Sequence, residues 1–349
     1  MNTQLLNAIV LNFGVDTSNI AYKTISQGYI NDTLLVKLDD EPRFILQRIN
    51  SNVFKNISGL HANIENALKK LKSTDYQEVF LLKTNDNQSY YINDGSFWRM
   101  QSFIKDSIVY NITSNPTVAY ETGRIIGRFH KLLSDDNVNN YVETVKDLNY
   151  LPFRITEFNE VLKTTSEDLK EQAKVEIVFA KQNMQSFDTF YKADLPKRVC
   201  HNDTKLNNIL FNQDDKALCL IDLDTIMSGY FHYDFGDAVR TVVREANEDE
   251  KDLAKIGFNL DLFQKFIEGL KSNGNFLLDT EIDFLPISCA LLPFMHGLRA
   301  LTDYLNGNIH YKVSYEEQNL DRCKSLFRVA QLALKNQDKI KVIIDGHLN

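Results

Sequence analysis

His201, Asp203, Lys205 and Asn208 fall within the ten residues HNDTKLNNIL, and two further carboxylates, Asp222 and Asp224, follow after a short apolar stretch. Asparagine and aspartate are poor strand formers that gather in turns, so a solvated loop would account for part of this polarity. It would not account for the sequence that follows. Two apolar arms, 209–211 and 217–221, flank the turn formers of 212–216, which predicts a hairpin. Folding back near Asp214 or Asp215 sets Asn208 opposite residues 220–222, where facing Cα atoms lie roughly 4.5–5.5 Å apart. The amide of Asn208 and the carboxylate of Asp222 are therefore expected to converge. An amide oxygen beside a carboxylate is a hard, oxygen-only site suited to Mg²⁺, which keeps several waters and takes its other ligands from substrate phosphates. Asp203, on the same loop, is expected to face the same cavity, and Lys205 offers a point charge to a phosphoryl group. Metal clamps on a nucleotide, a carboxylate that orients an attacking hydroxyl and a cation for developing charge are the working parts of phosphoryl transfer.

These groups need elements to hold them. Upstream, TISQGYINDTLLVKL and RFILQRI flank DDEP, which predicts a hairpin with residues 39–42 at its tip. A second strand pair is expected over 78–92. Between the two, Leu60, Ile64, Ala67, Leu68 and Leu71 recur at helical spacing. After SFWRMQSFI the character changes. Asn115 and Pro116 supply an N-cap and a first-turn proline, and Val118, Thr122, Ile125, Ile126, Phe129, Leu132 and Leu133 form one stripe. Residues 155–191 and 250–349 continue as helices, the latter broken near Asn273-Gly274 and Asn306-Gly307. The expected fold class is α+β with two lobes. A small antiparallel sheet with one helix occupies residues 1–104, including an interlobe linker near its end, and a large, mainly helical lobe occupies 105–349.

The 349 residues carry 39 Lys+Arg against 47 Asp+Glu, a formal net charge of -8. Such a balance gives no basic field for nucleic acid or anionic lipid, so any anionic ligand must meet locally placed cations. Cys200, Cys219, Cys289 and Cys323 are far apart, offer no metal-ligand spacing and read as buried thiols of a reducing compartment. The first residues lack a basic leader, and the apolar run 287–298 contains Pro293 and is too short to span a bilayer. The expected setting is cytoplasmic, with neither nucleic acid nor membrane as partner, and the chain a monomer or weak homodimer.

His201-x-Asp203-x-x-x-x-Asn208 followed by Ile221-Asp222 resembles the catalytic loop and metal-binding aspartate of the protein-kinase-like superfamily, in its aminoglycoside-phosphotransferase and choline-kinase branch. The fuller text HNDTKLNNIL, CLIDLDTIMSGY and HYDFGDAVRT is similar to the N-acetylhexosamine 1-kinases, and the similarity runs from QGYINDT to RALTDYLNG. The resemblance implies a nucleotide held between a small sheet lobe and a helical lobe, in agreement with the element pattern. It also implies ATP-dependent phosphorylation of the anomeric hydroxyl of N-acetylglucosamine or N-acetylgalactosamine. On the same basis Asp203 is the catalytic base that meets the acceptor, Asn208 and Asp222 hold Mg²⁺, and Asp224 is an additional ligand. Kinases for other hydroxyl substrates, such as choline, homoserine, methylthioribose or an aminoglycoside, and an inactive nucleotide-binding module are the alternatives.

Weaker motifs surround this centre. The segment SQGYINDT lies where kinases place a glycine-rich loop, and the resemblance sets Gly28 and the backbone N–H groups of Asn31, Asp32 and Thr33 near the phosphates. In RFILQRI, Gln47 stands where a phosphate-pairing strand lysine is expected. Alternation turns the adjacent Arg48 to the other face, so either Gln47 serves or a local twist admits Arg48, with Glu65 as the candidate partner on the next helix. Trp98-Arg99 leads into the expected linker, where backbone groups at Ser102 and Ile104 would meet adenine. For the sugar, Arg299 and Asp303 lie four apart on one helical face, with a surface ion pair as the alternative. His130 and His296 read as packed histidines. Asp234-Phe235-Gly236 matches the kinase metal motif in letters only, because Asp222 already holds that place. Asp234, with Asp237, is expected to cap a helix.

Overall fold

Alternating apolar residues build the front of the chain into a sheet. In the computed structural model, which describes residues 2–25 and 30–348, this region forms helix α1 (Thr3–Leu11), strands β1 (Ile20–Ile25), β2 (Asp32–Leu38) and β3 (Glu41–Ile49), helix α2 (Ile57–Leu68), and strands β4 (Tyr91–Asn93) and β5 (Ser96–Ser102). The strands pair antiparallel in the order β1-β2-β3-β5-β4. The β2–β3 hairpin turns where expected, because Asp39 and Asp40 both take positive φ, the geometry of a two-residue turn that matches strand twist. The expected strand pair over 78–92 is displaced. The hairpin is β4–β5, closed by Asp94 and Gly95 at φ 45° and 72°. Residues 80–82 do run along β5, with Leu82 N–H donating to the Met100 carbonyl at 2.8 Å, but the turn formers of 85–89 interrupt the run before β4.

The sheet lobe carries two helices where one is expected. Asn2 caps α1 by accepting the Gln4 N–H at 2.9 Å, and Leu6, Ile9 and Val10 pack with Leu34, Val36, Leu46, Trp98 and Met100 on the outer sheet face. Alternation then sends Thr33, Gln47 and Arg99 to the inner face. The apolar side of α2 joins the core of the helical lobe instead. Fully buried Asn63 pins it there, donating to the carbonyls of Val142 and Ile226 at 2.7 and 2.8 Å and accepting the Val142 N–H at 2.9 Å. A polar sheet face is thus held above the second lobe.

That lobe contains α3 (Pro116–Leu132), α4 (Leu151–Thr164), α5 (Glu167–Gln172), α6 (Lys174–Asn183), α7 (Asp188–Lys192), β6 (Arg198–Cys200), β7 (Ile209–Phe211), β8 (Ala217–Leu220), β9 (Met227–Gly229), α8 (Phe231–Val242), α9 (Leu260–Lys271), α10 (Asp279–Asp283), α11 (Leu285–Leu305), α12 (Gln318–Lys335) and α13 (Gln337–Leu348). Asn115 caps α3 as its sequence implies, accepting the Thr117 N–H at 2.9 Å. Helices α3 and α9 meet backbone to backbone: a Cβ on Gly123 would fall 1.9 Å from the Phe266 carbonyl oxygen. Two short ribbons, β6–β9 and β7–β8, frame the loop that carries His201, Asp203, Lys205 and Asn208. The four cysteines are buried and free, and among the described residues no helix is long and apolar enough to cross a membrane.

Candidate active site

The loop after β6 is shaped by its own side chains and by α8. Asn202 takes a left-handed φ of 65°, a conformation asparagine tolerates, and its amide nitrogen donates to the carbonyls of Cys200 and Thr225 at 3.1 and 3.0 Å. Asp234 is fully buried, and its carboxylate accepts the His201 N–H at 2.8 Å, the Asn202 N–H at 2.6 Å and the His130 ring at 2.9 Å. The expectation that Asp234 caps a helix is therefore corrected. α8 starts at Phe231, leaving Asp234 inside its first turn, where it caps the loop after β6 instead. Asp237 likewise is not a capping partner but an ion-pair partner of Arg240, at 2.7 Å.

Within this frame the expected hairpin is present. Ile221 N–H donates to the Asn208 carbonyl at 2.9 Å and Ile209 pairs with Leu220, so the hairpin sets Asn208 beside Asp222. The Asn208 amide nitrogen donates to the Asp203 carbonyl and carboxylate at 2.8 and 2.9 Å, which directs its oxygen away from Asp203. Lys205 Nζ lies 2.8 Å from the same Asp203 carboxylate. The Asp203 side chain keeps 25% exposure, enough to meet a substrate. His201 completes the support: its Nε2 meets the Ile221 carbonyl at 2.9 Å and its Nδ1 accepts the Asp203 N–H at 3.3 Å.

Carboxylates crowd this floor. Burial and the neighbouring charge of Asp224 push the Asp222 carboxyl up to about 6, with Asp203 adding to the rise and Lys205 and Arg99 opposing it. Burial works against the Lys205 ammonium, yet Asp203 and Asp222 hold it above its ordinary range. Asp222 itself adopts φ 62°, a left-handed turn that re-aims its side chain as the chain leaves β8. A cluster of oxygen donors with surplus negative charge fits a hard divalent cation.

The roof differs from expectation in several places. Gly28 lies outside the described residues. Asn31 reaches across the cleft, its amide donating to Asp224 at 2.6 Å. Gln47 faces inward and is 8% exposed, with Nε2 donating to Thr33 Oγ1 at 3.1 Å. Arg48 does not twist into the cleft: it pairs with Asp32 on the other face, both side chains nearly half exposed. Strand alternation thus keeps the Arg48 side chain off the inner face, and no local twist admits it to the cleft. Glu65 pairs with Lys83 rather than with any strand cation. The residue that sequence reasoning passed over is Arg99. It stands opposite Gln47, is 2% exposed, donates from Nε to the Gln47 oxygen at 2.8 Å, and forms an ion pair with Asp224. Both Asp224 oxygens are thus engaged by the roof.

At the linker, the Ser102 N–H donates to the Phe80 carbonyl at 3.0 Å and the Ile104 carbonyl accepts the Ser107 hydroxyl at 2.7 Å. The Ser102 N–H thus completes the sheet edge. On the helical side, Asp303 is 2% exposed and accepts the N–H groups of His310 and Tyr311 and the Asn319 amide at 2.9, 3.0 and 2.9 Å. It anchors the loop between α11 and α12, which corrects its reading as a direct sugar contact and as the partner of Arg299. Arg299 instead lies 6.0 Å from the Tyr311 ring.

A second polar network was not foreseen. Arg240 bridges Asp237 and Glu248 at 2.7 and 3.1 Å, and His296 lies 3.3 Å from Asp237. Burial would raise Glu248, but Arg240 and Arg244 hold it down at about 2. Burial depresses Arg244 to about 10, against the pull of Glu248. Asp203 acts electrostatically on Arg240, and Asp237 on Lys205, which places this network beside the loop after β6. Only a tertiary arrangement joining α8, the following loop and α11 reveals it.

Comparison with known proteins agrees with this fold. The profile of the APH phosphotransferase enzyme family matches residues 21–261. A crystal structure of the spectinomycin phosphotransferase APH(9)-Ia with ADP and spectinomycin is similar at a TM-score of 0.65 and 12% identity, over 96% of this chain and 98% of that one. The amicoumacin kinase hAmiN in complex with AMP-PNP, Ca²⁺ and Ami gives 0.62 and 13%, over 97% and 93%. Choline kinase from Cryptosporidium parvum gives 0.62 and 13%, over 99% of each chain.

Proposed function

The chain belongs to the APH phosphotransferase enzyme family, and from that premise we propose that it is an ATP-dependent kinase for the anomeric hydroxyl of N-acetylhexosamines. The observation that carries the phosphoryl-transfer reading is the convergence of Asp203, Asn208 and Asp222 on one floor beneath the inner face of the sheet. In this reading lobe 1–104 covers the nucleotide and lobe 105–349 holds the acceptor. Asn208 and Asp222 would hold Mg²⁺, with Asp224 near enough to join them, and the ion would neutralise charge on the phosphates.

Asp203 accepts the proton of the attacking hydroxyl, whose oxygen bonds to the γ-phosphorus as the bond to the β-phosphate oxygen breaks and ADP leaves. Asn208 fixes the carboxylate through its amide nitrogen, and Lys205 offsets the charge that gathers beside it. Buried His201 and Asp234 keep the loop from relaxing, so the base is held before substrate arrives.

Two observations support an amino-sugar acceptor. One is the motif similarity from QGYINDT to RALTDYLNG. The other is the network of Asp237, Arg240, Glu248 and His296, whose charges are paired, together with Arg244, whose buried Nε and Nη1 donors have no hydrogen-bond partner among the described residues. Such a wall suits a neutral polyhydroxy molecule, whereas a quaternary ammonium wants an aromatic, acidic pocket. An ATP-consuming reaction of this kind belongs in the cytoplasm. The test is ADP release with Mg·ATP and N-acetylglucosamine, N-acetylgalactosamine, glucose, choline or kanamycin as acceptor. The first two are expected to give the highest kcat/KM, and preference for choline or kanamycin would overturn the assignment.

A further inference from the structure

The inner face of the sheet has lost one cation and gained another. Gln47 occupies the strand position at which the resemblance implies a phosphate-pairing lysine, and Arg48 beside it faces solvent with Asp32. Directly across the β3–β5 ladder stands Arg99, pointing to the same face as Gln47. Its Nε is held by the Gln47 oxygen at 2.8 Å while Nη1 lies on the Asp224 carboxylate. Among the described residues Nη2 has no hydrogen-bond partner. Arg99 also lines, with Gln101, Asp222 and Leu223, a void of about 10 Å³ between sheet and floor. A guanidinium held by one edge keeps its remaining N–H groups in a fixed fork, the geometry that matches phosphate oxygens.

We infer that Arg99 is the phosphate-positioning residue of this chain, supplying from β5 the cation that β3 does not, with Gln47 recast as the group that orients it. The site would take the non-transferred phosphates of a nucleoside triphosphate. This rests on the nucleotide-binding reading above and adds to it the identity of the phosphate cation. Gln47 is then no passive replacement: it bridges Arg99 to Thr33 at the start of β2, coupling the guanidinium to the strand that leads from the roof loop.

The test is calorimetric titration of the full chain with AMP-PNP plus Mg²⁺ and, separately, with adenosine. Arg99→Gln is expected to weaken AMP-PNP about 10- to 100-fold, the worth of charge-assisted hydrogen bonds, and adenosine by less than about twofold. Adding Gln47→Lys to Arg99→Gln is expected to recover most of the AMP-PNP loss. If Arg99→Gln does not fold, Arg99→Lys gives the same contrast on a smaller scale, about 3- to 10-fold for AMP-PNP alone, because a point charge replaces the fork. Unchanged AMP-PNP affinity in the variant that folds, or an equal loss for adenosine, overturns the assignment of Arg99 while leaving the nucleotide reading intact. Failure of the unmodified chain to bind AMP-PNP overturns both.

Discussion

The floor and the roof of the cleft solve the same problem, holding charge in place, by opposite means. The floor gathers carboxylates that are neighbours in sequence and braces them with buried hydrogen bonds from one helix, Asp234 taking three donors. The roof draws its polar groups from separate strands, and its cation meets Asp224 across 125 residues of sequence. One region is braced by buried hydrogen bonds to a single carboxylate. The other is positioned by sheet register, and its contacts with the floor are the ones a nucleotide would have to rearrange.

The largest effect expected on the floor is chemical. Asp203→Asn should lower turnover about 10³-fold in a coupled ADP assay while nucleotide affinity stays within about twofold. An unchanged rate would remove the floor's claim to the chemistry. Next comes the brace. Asp234→Ala, which strands buried donors from His201 and Asn202 and leaves His130 unpaired, should cost about 3–5 kcal/mol in urea unfolding. A loss under 1 kcal/mol, roughly that of a surface change, would mean the loop holds itself. Asp222→Asn should weaken AMP-PNP binding about tenfold in Mg²⁺ and leave it unaltered in EDTA, separating metal-dependent from metal-independent contacts.

A smaller effect concerns protons. The Asp222 carboxyl is raised to about 6 in the folded chain from 3.8. Between those values the folded state binds more protons than the unfolded one, so this group's contribution to stability falls as pH rises through the window. A cation beside it favours the charged form. Mg²⁺ binding should therefore release about half a proton at pH 6 and close to none at pH 8, readable by calorimetry in buffers of different ionisation enthalpy. The least effect belongs to the outer roof: Arg48→Ala should change stability by less than about 0.5 kcal/mol and leave AMP-PNP affinity unaltered, in contrast to Arg99→Gln.

The hairpin at the heart of the floor was legible in the sequence because it is local. Turn formers at 212–216 fix the hairpin, the hairpin fixes the meeting of Asn208 with Asp222, and only short-range geometry is involved. The Asn115 cap and the β2–β3 turn could be read for the same reason. Arg99 could not, since its place depends on β5 lying beside β3 with β4 beyond it, an order that no local pattern specifies. The same holds for Asp303, whose partners come from a loop that returns only after α11 ends, and for Asp234, whose surroundings at α8 come from the loop it braces. Helix α1 was missed on other grounds: its cap and its Leu6, Ile9, Val10 stripe are short enough to pass as an irregular start.

The most direct measurement is a phosphorus-31 spectrum of the product formed from ATP, Mg²⁺ and N-acetylglucosamine. A sugar phosphate resonance coupled to the single anomeric proton, absent with Asp203→Asn, is the expected result. A resonance coupled to two protons, as a 6-phosphate gives, or the absence of any phosphorylated sugar, would contradict the account.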